Sequence, residues 1–268
     1  MADHGTMRPA LPVGETLRDG VKSALPSVRG LGSATTAAFL VVLAKEAAHT
    51  LLGDPTRPAR FQEDIFLVDA LCTILLAPYW MAMFRLILGA DRGAAGSVQA
   101  VADGSVRAVV AGRAGPFPDF LALELFWLLV SGLLDRGLSP ERLGPGSLIV
   151  GLLAWIALLL LQIWTSLLAP ALAVGAPDAT LRGVLAMTRG SAARIGLILV
   201  ATILPLGLVD RMLHAPERAG TDLPAVALAV RILASGLIDM ALLVLVTALL
   251  AEIYRRLRPS ERGLTPRP

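Results

Sequence analysis

Cysteine occurs once in the 268 residues, at Cys72, which excludes an internal disulfide and any metal site built on several thiolates. The three histidines, His4, His49 and His214, lie far apart, so a metal site on them would need carboxylates delivered by folding. The chain has no glycine-rich phosphate loop, no Gly-x-Ser-x-Gly elbow and no Cys or His pair at ligand spacing. No catalytic residue, metal ligand or cofactor is therefore expected. Lysine is nearly absent: of 24 basic residues only Lys22 and Lys45 are not arginine. Together with the excess of Ala, Gly and Leu, this is the composition of a GC-rich bacterial genome. Charge of either sign is scarce, at 17% against about a quarter in soluble domains. A net charge of +3 and a short arginine-rich stretch at 255–262 are too little to argue for nucleic acid as a partner. The N-terminus has no apolar core behind its first basic residue, so a cleavable signal peptide is not expected and insertion falls to the chain's own helices.

What is present is apolar length. Between Arg142 and Asp178 no side chain is charged, and about 20 apolar residues suffice to cross a bilayer as helix. A helix apolar on every face for so long is not needed in a soluble domain of this size. Five further segments reach spanning length, giving expected spans at 31–52, 64–88, 119–134, 147–174, 195–213 and 224–253. The first carries Lys45, Glu46 and His49 and is the least clean; the third is short and holds Glu124. The expected fold is all-α: a polytopic membrane bundle over 31–253, preceded by a tail with an interfacial helix at 1–30 and followed by a basic tail at 254–268.

The basic residues fix an orientation. With six spans, the N-terminus, the second and fourth connections and the C-terminal tail hold fifteen of them, and the other three connections hold six. Positive charge is retained on the cytoplasmic side, so both termini are expected there, in the inner membrane of a bacterium. A five-span count would mix rich and poor connections.

Those basic stretches are also amphipathic. Leu17, Val21, Ala24, Leu25 and Val28 recur at helical spacing among Arg18, Lys22 and Arg29. Leu181, Val184, Leu185 and Thr188 do so beside Arg182 and Arg189, with Asp178 placed to cap. A weaker case spans Val98, Val101, Ala102, Val106, Val109 and Val110. Each precedes an odd-numbered span, and Thr16-Leu17-Arg18 returns as Thr180-Leu181-Arg182. A unit of about 80 residues, one interfacial helix followed by a transmembrane hairpin, is thus expected three times. The plainer reading of each helix is a surface anchor.

The six spans, the basic stretches before them, the segment 179–190 leading into Ile195-Gly-Leu-Ile-Leu, and the closing Glu252-Ile-Tyr-Arg-Arg-Leu257 carry a resemblance. The chain resembles a loose group of six-helix bacterial membrane proteins that includes the membrane domain of some glycerophosphodiester phosphodiesterases. The phosphodiesterase domain itself has no counterpart here. The resemblance implies a fold and a location, not an activity.

Ionisable residues at membrane depth are costly and are the candidate functional residues. They are Lys45, Glu46, His49, Asp69, Arg85, Glu124, Arg231 and Asp239. Depth sorts them into an outer group of mixed sign and an inner pair, Arg85 with Glu124. They form either a polar path or headgroup site, or interhelical pairs that fix packing, with Arg85 snorkelling to the interface. Asp239 is the deepest of the carboxylates and is expected to pair with Arg231 or Lys45. Pro78, Pro170 and Pro205 interrupt backbone bonding within spans, and the Thr165 and Ser166 hydroxyls lie where they can satisfy carbonyls freed by Pro170. Tyr254 beside Arg255 is expected as an interface anchor. Three functions fit: a non-catalytic protein that organises partners or the envelope, which is the reading chosen; a transporter or flippase for a lipid-like amphiphile; and a lipid-modifying enzyme. The expected partners are the lipid bilayer and other membrane proteins. A cavity joining Asp69, Asp239 and Arg231 would separate these readings.

Overall fold

The computed structural model describes residues 11–52, 61–89, 117–137, 147–177, 179–215 and 223–258. Within them the chain is helical: α1 (Val13–Gly30), α2 (Gly32–Leu52), α3 (Phe61–Gly89), α4 (Phe117–Gly137), α5 (Ser147–Thr165), α6 (Leu168–Ala173), α7 (Leu181–Thr188), α8 (Ala192–Leu213) and α9 (Ala225–Leu257). Six stretches are long and apolar enough to cross a bilayer: Gly32–Leu52, Glu63–Gly89, Phe117–Leu134, Ile149–Ala173, Ala192–Leu213 and Ala225–Leu257. The protein is an all-α polytopic membrane bundle, and each observed span lies within a few residues of its expected place.

The burial pattern suits a lipid solvent. Leu67, Leu71 and Leu75 of α3, Leu152 and Leu153 of α5 and Leu204 and Leu208 of α8 are all exposed on the outside of the bundle. Such a belt would be an aggregation hazard in water and is the lipid-facing surface of a membrane bundle. Core residues concentrate toward the end that carries α1, α7 and the C-terminus, here termed the basic end. There Met81, Met83, Phe120, Val184, Ile195, Leu249 and Ile253 are fully buried. Along α9 burial is nearly continuous from Thr247 to Tyr254 but falls to scattered positions in the first half of the helix. The bundle is thus closely packed at the basic end and looser at the far end.

The amphipathic helix α1 does more than lie on a surface. It packs along α9, burying Thr16, Gly20, Ala24 and Ser27 while Val21 and Leu25 stay exposed. Small residues at this spacing let two backbones approach. At Gly20 a Cβ would meet Leu249 Cδ2 at 2.5 Å and Leu249 Cα at 3.3 Å. Ion pairs close the contact. Arg256 donates from Nε to Glu252 at 2.6 Å and from Nη2 to Asp19 at 2.6 Å, and its Nη1 lies 3.4 Å from Glu15; Arg255 also pairs with the buried Glu252. Tyr254 is only 1% exposed, packed in one cluster with residues of α5, α6, α7 and α8 and with the start of α1 against it, a core residue rather than the expected interface anchor.

The second amphipathic helix is the eight-residue α7, packed against α5. Its cap is Thr180, whose Oγ1 accepts from the Gly183 N–H at 3.1 Å; Asp178 lies outside the described residues. Thr16, by contrast, sits inside α1 and donates its hydroxyl back to the Pro12 carbonyl. The recurring Thr-Leu-Arg therefore occupies two different helical positions. The third expected amphipathic stretch, 98–113, also lies outside the described residues.

Prolines 78 and 205 are accommodated inside α3 and α8, whereas the fourth span breaks between α5 and α6, just before Pro170. Hydroxyls satisfy the carbonyls at the end of α5: Thr165 donates to Leu161 at 2.8 Å, Ser166 to Ile163 at 2.9 Å, and Thr188 of α7 approaches Trp164 O at 3.4 Å. Thr165 and Ser166 thus bond back within the last turns of α5, not to the Ser166 carbonyl four residues before Pro170 that the expectation concerned.

Candidate functional site: a polar cavity at the far end

The far ends of α2, α3, α8 and α9 carry the outer charged group, and α2 and α9 come close there because Gly236 has no side chain. A Cβ at that position would meet Leu43 Cδ2 at 2.6 Å. This approach brings Lys45, two residues beyond Leu43, to Asp239, three beyond Gly236. Lys45 Nζ donates to Asp239 Oδ2 at 2.7 Å and lies 3.5 Å from Glu46 Oε1. Of the two expected partners for Asp239, the structure selects Lys45.

Three further contacts link the same helices. His49 Nε2 lies 2.9 Å from Asp69 Oδ1, joining α2 to α3. Arg231 Nη2 donates to Thr50 Oγ1 at 2.9 Å, joining α9 to α2, and both Arg231 and Glu46 are buried. Ser235 donates to Asp210 Oδ1 at 2.5 Å, joining α9 to α8, while His214 Nδ1 reaches back to the Asp210 carbonyl at 3.0 Å.

These groups surround a cavity of about 530 Å³, lined by Lys45, Glu46, His49 and Thr50 from α2, Ile65 from α3, Asp210, Arg211 and His214 from the end of α8, and Ser235 and Asp239 from α9. Asp239 lines it directly. Asp69 and Arg231 stand behind it, each touching a lining residue, His49 and Thr50. The outer charges are therefore both packing pairs and the wall of a cavity; the two readings of the sequence are not exclusive. Its volume is in the range of small-molecule sites. Its walls offer ammonium, guanidinium, imidazole and carboxylate groups side by side, so it can engage an anionic and a cationic group of one molecule together. Among the described residues, no three His, Cys, Asp or Glu side chains gather as a metal site.

The sequence missed Asp210, Arg211, His214 and Ser235. Asp210 and His214 are four apart, one helical turn, at the end of the fifth span, a spacing that places both on one face. That signal was available, but both Arg211 and His214 read as connection residues. Glu252, fully buried within the sixth span, was missed too; Arg255 and Arg256 three and four residues on were its signature.

The inner pair expected from depth is not formed. Arg85 donates from Nε to the Ala173 carbonyl at 2.7 Å, the C-terminal end of α6, where a cation meets carbonyls left without helical partners. Glu124 instead lines a second cavity, among α4, α5, α8 and α9. Shared depth brought neither residue to the other, because they lie on faces turned to different neighbours. Compared with known proteins, the chain matches no family model, no curated protein and no solved structure.

Proposed function

We propose that this is a non-catalytic, multi-pass protein of the bacterial inner membrane that binds the polar head of an amphiphile, in the transporter or flippase class. Positive-inside bias supports cytoplasmic termini; with that orientation the basic end lies inside and the polar cavity in the outer half of the membrane. The observation that carries the reading is the cavity itself: about 530 Å³ toward the far ends of the spans, walled by both signs of charge on four helices with lipid-facing backs. A purely organising role would need the ion pairs but not the space between them. On this reading the likeness to the membrane domain of some glycerophosphodiester phosphodiesterases is one of architecture alone. Zwitterionic headgroups match the mixed walls best, since a wall of one sign would be expected for a simple anion or cation.

The test is translocation of a fluorescent phosphatidylethanolamine in vesicles containing the purified protein. The native protein should speed exchange between leaflets, and Ile65→Trp, which fills the cavity without removing a charge, should reduce that rate at least tenfold. An exchange rate indifferent to Ile65→Trp, or no acceleration by the native protein, would overturn the proposal.

A further inference from the structure

The second cavity, about 420 Å³, differs from the first in every chemical respect. Its walls are mainly apolar, and its lone ionisable group is Glu124 of α4, about 10 Å along the helix from its start at the basic end. Among the described residues Glu124 has no hydrogen-bond or ion-pair partner, and no basic side chain lines the space. Two other features favour a cation beside it. Trp127, one turn on, lines the same cavity, and aromatic rings attract cations to their faces. Gln162, Thr165 and Ser166 line it at the C-terminal end of α5, the negative pole of a nineteen-residue helix. The six-residue α6 that begins just beyond has far fewer aligned peptides to set against that pole. Nothing in the cavity supplies the positive charge that this arrangement favours.

The rim shows where such a charge could come from. Leu159 of α5 and Val200, Ile203 and Leu204 of α8 line the cavity and are also exposed on the lipid-facing surface. At Gly196, nearer the basic end of α8, a Cβ would meet Ile163 Cδ1 at 2.9 Å, so α5 and α8 are in close contact there, whereas the rim residues further along α8 are exposed. An occupant arriving by this route must be soluble in hydrocarbon and carry its charge on an apolar body.

We propose that the Glu124 cavity is a site for lipophilic cations, taken up sideways from the bilayer between α5 and α8. The carboxylate is the counter-ion, Trp127 covers the apolar body, and the α5 carbonyl end adds to the negative field. This site uses none of the residues around the outer cavity, so it stands or falls separately from the headgroup reading.

The experiment is equilibrium binding of tetraphenylphosphonium to the purified full-length protein in detergent, with neutral triphenylphosphine oxide as the uncharged comparison. The native protein should bind tetraphenylphosphonium, with quenching of tryptophan fluorescence that weakens in Trp127→Phe. Glu124→Gln should lower its affinity at least tenfold and leave binding of the oxide within about twofold, and Glu124→Asp should restore part of the loss. Independently of any variant, tetraphenylphosphonium should protect Glu124 in the native protein from modification by the apolar reagent dicyclohexylcarbodiimide. Equal affinity in native and Glu124→Gln protein, equal losses for the cation and the neutral oxide, or absence of protection would each overturn the proposal.

Discussion

Asp239→Asn is expected to destabilise the folded protein by about 3 kcal/mol, the low end of the cost of breaking a buried ion pair by removing one partner. The low end applies because Lys45 and Asp239 are each about a quarter exposed to the cavity, and because Glu46 remains 3.5 Å from the stranded ammonium. The effect has a second half. Lys45→Met in the same chain removes the uncompensated cation, so the double variant should be more stable than Asp239→Asn alone, with a coupling of about 1–3 kcal/mol. Denaturant melts of the four proteins in one detergent measure this cycle. Additive losses would show that Asp239 acts independently of Lys45, and would assign the carboxylate to the cavity's chemistry alone.

Gly20→Leu should detach α1 from α9, with a loss at or above the upper end of the 1–3 kcal/mol typical of overpacking. Its Cβ would lie 2.5 Å from Leu249 Cδ2, the end of a side chain that can turn, but also 3.3 Å from Leu249 Cα, which cannot. Detachment would also separate Asp19 and Glu15 from Arg256, so packing and ion pairs fail together. Limited proteolysis should then cleave within α1 under conditions that leave the native protein whole. Gly14→Ala is the control: nothing lies within 4 Å of a Cβ there, and alanine is the better helix former. If Gly20→Leu behaves like Gly14→Ala, α1 is only a surface anchor.

Why the spans were legible and the site only in part follows from the range of the forces. Crossing a bilayer depends on length and apolarity summed over some twenty residues, and both are properties of a single segment. The irregularity before Pro170 was also local, set by the N–H that a proline lacks. Which cation meets which carboxylate is instead decided by helix rotation and by close approaches such as Gly236 on Leu43, which no single segment encodes. Depth alone therefore found the outer group as a set, yet paired Arg85 with Glu124 when the first caps α6 and the second faces an apolar cavity. Asp210 and His214 escaped because a span's last turn looks like a connection until a neighbouring helix, here Ser235 of α9, is seen to bond to it. Tyr254 was misplaced for the same reason: nothing in the sequence of α9 says which neighbouring helices cover it.

The proposed function requires that the polar cavity admit water and open to the non-cytoplasmic face. Cysteine accessibility in intact cells tests it most directly, in a Cys72→Ala background that removes the single native thiol, itself buried in α3. Ile65→Cys, on the cavity wall, should react with a membrane-impermeant maleimide added outside; Arg182→Cys, exposed on α7 at the basic end, should react only after the cells are opened. Labelling of Arg182→Cys in intact cells, or of Ile65→Cys only after opening, would contradict the account.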